Sequence, residues 1–345
     1  MGHPRVGRPI FVYANAMIEL LKTLINIQSI SGQEAKIGHY LLQLLREKDY
    51  WVRTQEIAQD RFNVVATLSD RARVLLCTHM DTVAPWFPFR QEGDLLYGRG
   101  ACDAKGQLVC MLEVMERLRA QQITDVGLLV VVGEESTSEG AKQAAHLDVG
   151  SEFVIVGEPT ENKLAIGQKG VLVFRVRASG TGGHSSLPEL GESAVHKLLD
   201  LLSRWIQMDW GEDAFFGKSL LNVRVFDGGV GMNVLAPDAH AEGIFRVATS
   251  VDEIQEIMHA TLPDDVTLEM PSVSGPQRML EIPGFDTTIV GFGTDAAHLR
   301  PLGDILLYGA GSITVAHRDN EHIRYADMQT AVHDYERMVH YVLSQ

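Results

Sequence analysis

Two histidines and a series of carboxylates stand at places where alternating strands and helices would turn them toward one region. His79 and Asp81 lie in THMDT (78–82), Asp103 in GRGACDAKG (98–106), and Glu134 and Glu135 in GEES (133–136). Glu158 lies in GEPT (157–160) and His317 in AHRDNEH (316–322). Imidazole and carboxylate donors in this mixture suit divalent, zinc-like ions. A carboxylate can bridge, so the set could hold two ions about 3.5–4 Å apart. Each cluster alone has an ordinary explanation: a satisfied surface histidine, solvated glutamates, an aspartate in a turn. Five loops that each bring a His, Asp or Glu to a strand end argue jointly for a metallohydrolase.

The elements that must position these loops follow from hydrophobic spacing. Helical periodicity runs over 16–27 and 35–48, then short Val/Ile/Leu-rich runs follow at 63–68, 73–78, 127–133 and 152–157. A helical stretch at 106–119 lies between them. Buried strands alternating with helices predict an α/β fold with helices on both faces of the sheet. Ligands of such sheets gather beyond the carboxyl ends of the strands. After Lys169 the pattern changes to strand 171–178, helix 193–210, strands 220–226 and 240–247, helix 251–262 and strand 266–271. That β-α-β-β-α-β order is ferredoxin-like. The first style returns with strand 305–308 and helix 326–343. The expected organisation is a catalytic domain of residues 1–167 and 281–345, interrupted by an inserted domain of residues 168–280.

Composition narrows the classes of function. The 345 residues carry 45 Asp and Glu against 30 Lys and Arg, a formal net charge of −15, which disfavours binding to a phosphate backbone. No apolar stretch approaches the length of a membrane span. Three cysteines, Cys77, Cys102 and Cys110, make no disulfide framework, and reduced thiols fit a cytoplasmic protein. The N-terminal segment lacks the pattern of a signal peptide. Met17 opens the first amphipathic helix, so residues 1–16 are read as an extension or a mis-assigned start.

The motifs HMDTV, GRGACDAKG, EES, GEPT and AHRDNEH, in that order and separation, resemble the M20 family of metallopeptidases and amidohydrolases. That family includes acetylornithine deacetylase, succinyl-diaminopimelate desuccinylase, carboxypeptidase G and the aminoacylases. The resemblance runs from about Met17 to the C-terminus. It implies a zinc-exopeptidase-like catalytic domain with an inserted lid or dimerisation domain. It also implies two divalent ions, zinc with cobalt as a substitute. Asp103 would bridge them, His79 and Glu158 completing one site and Glu135 and His317 the other. Asp81 would orient the His79 imidazole, and Glu134 would be the general base that takes a proton from water and passes it to the leaving amine. A non-proline cis peptide between Asp103 and Ala104 is part of the same pattern.

In the inserted domain, TGGHSS (181–186) resembles the segment whose His184 would stabilise the oxyanion of the partner subunit's site in a homodimer. Asn233 and Arg246 would hold the substrate carboxylate, to which a planar guanidinium is well matched. Gly309, in GAGS (309–312), resembles the substrate turn of the deacetylases. The implied substrate is a small N-acyl amino acid. Deacetylation of an N-acetylornithine type of substrate, in arginine or lysine biosynthesis, is the leading expectation. A desuccinylase and a di- or exopeptidase on the same scaffold are the alternatives. A metal-free binding module is disfavoured because every ligand and Glu134 are present.

Overall fold

The strands Val74–His79 and Val126–Val131 bury every side chain, and Phe153–Gly157 buries all but its first. Strands with both faces covered must be apolar throughout, which is why these segments read as unbroken Val/Leu/Ile runs. They pair in parallel around Val74–His79, with Leu76 opposite Leu128 on one side and Ile155 on the other. Asp304–Tyr308 continues the parallel set beyond Phe153–Gly157, Leu307 lying opposite Val156. Arg61–Thr67 joins the opposite side antiparallel, and Trp51–Ala58 follows it at the edge. The sheet is therefore mixed.

This computed structural model describes the backbone from Ile10 to Gln345 and side chains from Ala16 onward. The expectation for residues 1–16 lies mostly outside the described residues, although the first helix, Ile10–Asn26, begins upstream of Met17. The chain divides into two compact units. The larger comprises residues up to Ile166, Met279–Thr288 and Thr294–Gln345; the smaller comprises Gly167–Arg278 and Ile289–Gly293. The return of Ile289–Gly293 to the smaller unit had no signal in the hydrophobic pattern.

In the larger unit, one sheet face (Val64, Leu76, Leu128, Val130, Leu306) packs with the helices Ile10–Asn26, Ala35–Glu47, Lys105–Ala120 and Tyr325–Leu343. The alternate residues, among them Val65, Leu75, Leu129 and Val154, are equally buried, so the opposite face is covered too. On that side the short helices Glu139–Ala144 and Ala296–Leu299 pack together. All three cysteines are buried and free. Among the described residues, no helix is long and apolar enough to cross a membrane.

The smaller unit contains a four-stranded antiparallel sheet in the order Leu220–Gly228, Asp238–Val247, Gly170–Ser179, Val266–Ser274. Gly170–Ser179 and Asp238–Val247 alternate buried with less buried residues, as strands with one covered face must. The helices Ala194–Gln207 and Val251–Thr261 supply the cover, each started by a serine, Ser193 and Ser250, whose hydroxyl accepts from a first-turn amide. At the centre Trp205 meets Phe174 and Trp210 edge to face, and Trp210 meets Phe245 in the same way.

Candidate metal centre

Parallel pairing puts the carboxyl ends of the central strands on one side of the sheet, and the polar loops leave from there. His79 is the last residue of Val74–His79, and Glu158 directly follows Phe153–Gly157. Glu134 and Glu135 lie just beyond Val126–Val131, and Asp103 stands two residues before the helix Lys105–Ala120. His317 is on the loop after Asp304–Tyr308 and holds φ = +61°, a left-handed conformation that few non-glycine residues adopt.

The five residues meet. His79 Nε2 lies 3.0 Å from Asp103 Oδ1 and 3.8 Å from Glu158 Oε1. His317 Nε2 lies 2.9 Å from Glu135 Oε2 and 3.4 Å from Asp103 Oδ2. Asp103 thus turns one oxygen to each imidazole and stands between two pairs of donors. His79, Asp103 and Glu135 bring ligand atoms within 4.8 Å of one another. The Asp103–Ala104 peptide is cis, as the resemblance implied.

Charge makes the same point. His79, Asp81, Asp103 and Glu158 are buried, with Glu134 and Glu135 partly buried beside them. Burial and the neighbouring Glu158 push the Glu134 carboxyl well above the usual range, and burial and Asp103 raise Glu135. Burial works against charge on His79, but hydrogen bonds to Asp103 and Asp81 outweigh it and raise its pKa. His317 is pushed up to about 10, chiefly by its hydrogen bond to Asp103. So many acidic groups with only two imidazoles leave a strong negative excess in a low-dielectric pocket. Nitrogen and oxygen donors with no thiolate among them fit divalent ions of the zinc or cobalt type.

Two buried carboxylates that are not in the donor set hold its loops. Asp81 accepts from the backbone amides of Glu134 and Glu135, both at 3.1 Å, and from the Ser31 hydroxyl at 2.7 Å. The His79 Nδ1 atom lies 3.0 Å from the Asp81 carbonyl oxygen and 3.5 Å from its carboxylate. Glu321 Oε1 accepts from the amides of Gly100, Cys102 and Asp103 at 3.0, 3.0 and 3.1 Å, while Arg99 donates to Oε2 at 2.7 Å. Gln107 donates to the carbonyls of Cys102 and Ala310 and accepts from the Ala310 amide.

Sequence reasoning gave no role to Ser31, Arg99, Gln107 or Glu321. Arg99 and Glu321 lay inside motifs already singled out, but their pairing spans more than two hundred positions. Asp295 was also missed. It is buried, in the electrostatic range of His79, Glu134 and Glu158, and burial pushes its carboxyl up to about 7 against the pull of His79. Its setting in GFGTDAAHL reads from sequence only as a helix start.

Gly309 is engaged by neighbouring backbone and side-chain groups. Its amide donates to Thr160 Oγ1, its carbonyl accepts from the amides of Thr160 and Asn162, and it is buried. An added Cβ would stand 2.4 Å from both the Glu158 carbonyl oxygen and Gln107 Oε1. Glycine there allows a close backbone approach that a Cβ would block.

The three remaining candidates lie in the smaller unit. His184 and Asn233 are on adjoining loops, joined by the His184–Val234 bridge and by the Ser185 amide donating to the Asn233 carbonyl at 2.9 Å. Both are exposed, and His184 Nδ1 lies 2.7 Å from the Ser186 hydroxyl. Arg246 is half-buried on Asp238–Val247, opposite Leu220 on one side and Val171 on the other.

Comparison with known proteins agrees with this geometry. The model of peptidase family M20/M25/M40 matches residues 75–341. A peptidase M20 domain-containing protein of Schizosaccharomyces pombe is 36% identical over 340 residues, covering 95% of this chain and 85% of the relative. A probable carboxypeptidase of Aspergillus fumigatus is 34% identical over 388 residues, covering 97% and 88%. Among solved structures, a tripeptidase from Staphylococcus aureus superposes with a TM-score of 0.81 at 21% identity, covering 96% of this chain and 99% of that one. With the family's model spanning the whole donor set and relatives above 30% identity along nearly the full length, the chain belongs to peptidase family M20/M25/M40.

Proposed function

We propose that this protein is a two-metal hydrolase that cleaves the amide bond of a short peptide or N-acyl amino acid and releases an amino acid. The observation that carries this is the place of Glu134, next to the donor set but outside both donor pairs, with its amide fixed by Asp81. When bound, the two divalent ions would polarise the scissile carbonyl and acidify water. His79 and Glu158 would hold one ion, Glu135 and His317 the other, and Asp103 both. Glu134 accepts the proton of the attacking water and delivers it to the departing nitrogen. A carboxyl beside the donor set but outside both donor pairs is free to perform both halves of that transfer.

The relatives named as a carboxypeptidase and a tripeptidase favour peptide substrates. The second reading is removal of an acetyl group from an acetylornithine-like substrate in arginine or lysine biosynthesis. It rests on TGGHSS and GAGS, and the internal engagement of Gly309 takes weight from the latter. Metal-depleted protein reloaded with Zn2+ or Co2+ and offered dipeptides, tripeptides, N-acetyl and N-succinyl amino acids separates these readings. Release of amino acid from peptides ahead of acetate supports the first, and the reverse order supports the second.

The same proposal reads the smaller unit as a ferredoxin-like domain through which two cytoplasmic copies pair. Leu199, Ile206 and Phe226 are exposed around a shallow groove of about 280 Å3, next to Leu220–Gly228 at the sheet edge. An exposed edge strand beside apolar side chains is a surface that pairing would cover. His184 would then serve the partner subunit's site as an oxyanion donor. Mixing inactive Glu134→Gln and His184→Ala chains under subunit exchange should restore up to about a quarter of wild-type activity; exchange without recovery removes the trans role.

A further inference from the structure

We infer that Glu321 is the positioning residue for the metal-bridging carboxylate. This rests on the two-metal reading of the site and adds to it a residue outside the donor set. The loop 98–104 has no regular secondary structure to fix Asp103, so its backbone needs partners elsewhere. One oxygen of Glu321 gathers three amides of that loop, including the Asp103 amide itself at 3.1 Å. The other oxygen is anchored by Arg99 at 2.7 Å, and both charged side chains are at most 1% exposed. Arg99 is held in turn by the Pro85 carbonyl at 3.1 Å, so the anchor is itself fixed.

Glu321 lies four residues after His317. The segment that carries one ligand therefore grips, through its own carboxylate, the backbone of the ligand shared by both ions. Asp81 does the same for the neighbouring loop, where its two oxygens take the amides of Glu134 and Glu135. A carboxylate collecting several amides in a buried place fixes direction as well as distance, because each N–H···O bond is angle-dependent. Loss of such a partner behind a ligand weakens metal binding about 10–100-fold in comparable sites.

The test titrates metal-stripped wild type and Glu321→Gln with Zn2+ against a chromophoric chelator, well below the melting temperature of each. It then compares their visible spectra after Co2+ loading. Weakening of zinc affinity by tenfold or more, with a changed cobalt spectrum, is the expected result. Zinc affinity within about threefold of wild type and an unchanged spectrum, whatever happens to Tm, would show that Glu321 only supports the fold. Glu321→Asp keeps the charge facing Arg99 but shortens the reach to the amides, and it decides the matter if the glutamine variant does not fold. The same loss of zinc affinity in Glu321→Asp supports the role. Wild-type affinity in it, or failure of both variants to fold with and without zinc, overturns the role. If wild type itself binds fewer than two zinc ions, the two-metal reading fails first, and that outcome is distinct from an unchanged Glu321 variant.

Discussion

The loops around the metal centre and the loops that carry His184 and Asn233 are built on opposite principles. At the metal centre, buried side chains are aimed at the backbone, and the loops that carry the donors are held by Asp81, Gln107 and Glu321. In the smaller unit, His184 and Asn233 are exposed, Met232 is 98% exposed, and the loops are joined mainly by a few backbone bonds. A cluster of like charges survives only where its geometry is fixed and counter-charge is supplied. A segment that meets substrate or another chain gains from remaining open. Residues of the first kind should govern metal content as well as turnover, whereas substitutions of the second kind should leave metal content unchanged.

The two kinds of loop should respond differently to substitution. The largest effect belongs to Glu134→Gln, which is nearly isosteric but cannot accept the proton. Turnover should fall by about 10²–10⁴-fold while metal content measured by atomic emission stays at the wild-type value. Next is Asp81→Asn, whose amide nitrogen would face one of the two backbone amides from which the Asp81 carboxylate accepts. Metal affinity or activity should fall about 10–100-fold in a chelator competition, and wild-type values would remove Asp81 from the frame.

A smaller and more selective effect is expected of Arg246→Ala. KM should rise about tenfold or more for a substrate with a free α-carboxylate and change little for its amide, since hydrogen bonds to charged groups contribute roughly 1.5–3 kcal/mol. Equal changes on both substrates would assign Arg246 to the sheet alone. The smallest effect is that of Met232→Ala, which removes an exposed side chain and should alter unfolding stability by no more than about 0.5 kcal/mol in a denaturant titration. A larger loss would mean that this loop is packed in solution, most directly against a second copy.

The parts legible in the sequence were those that burial leaves little choice about. Val74–His79 and Val126–Val131 have both faces covered, so they had to be apolar runs. The polar clusters stood out because several chemically matched types followed successive strands, while the choice of donors within them came from the resemblance to the M20 family. Trp51–Ala58 was not foreseen: it is an edge strand whose side chains are half-buried or exposed, so neither an apolar run nor a clean alternation marks it. The Arg99–Glu321 pair was invisible for another reason. Charged residues are ordinarily solvated, and only the fold brings these two together across 222 positions. Asp295, buried within range of the donor set, escaped on the same ground.

If the five donors hold two ions, amide hydrolysis should depend on both. Counting bound zinc per chain while activity is restored to metal-stripped protein tests this most directly. Two ions per chain should bind, with full activity only as the second equivalent is taken up. Full activity at one equivalent, or in the stripped protein, would contradict it.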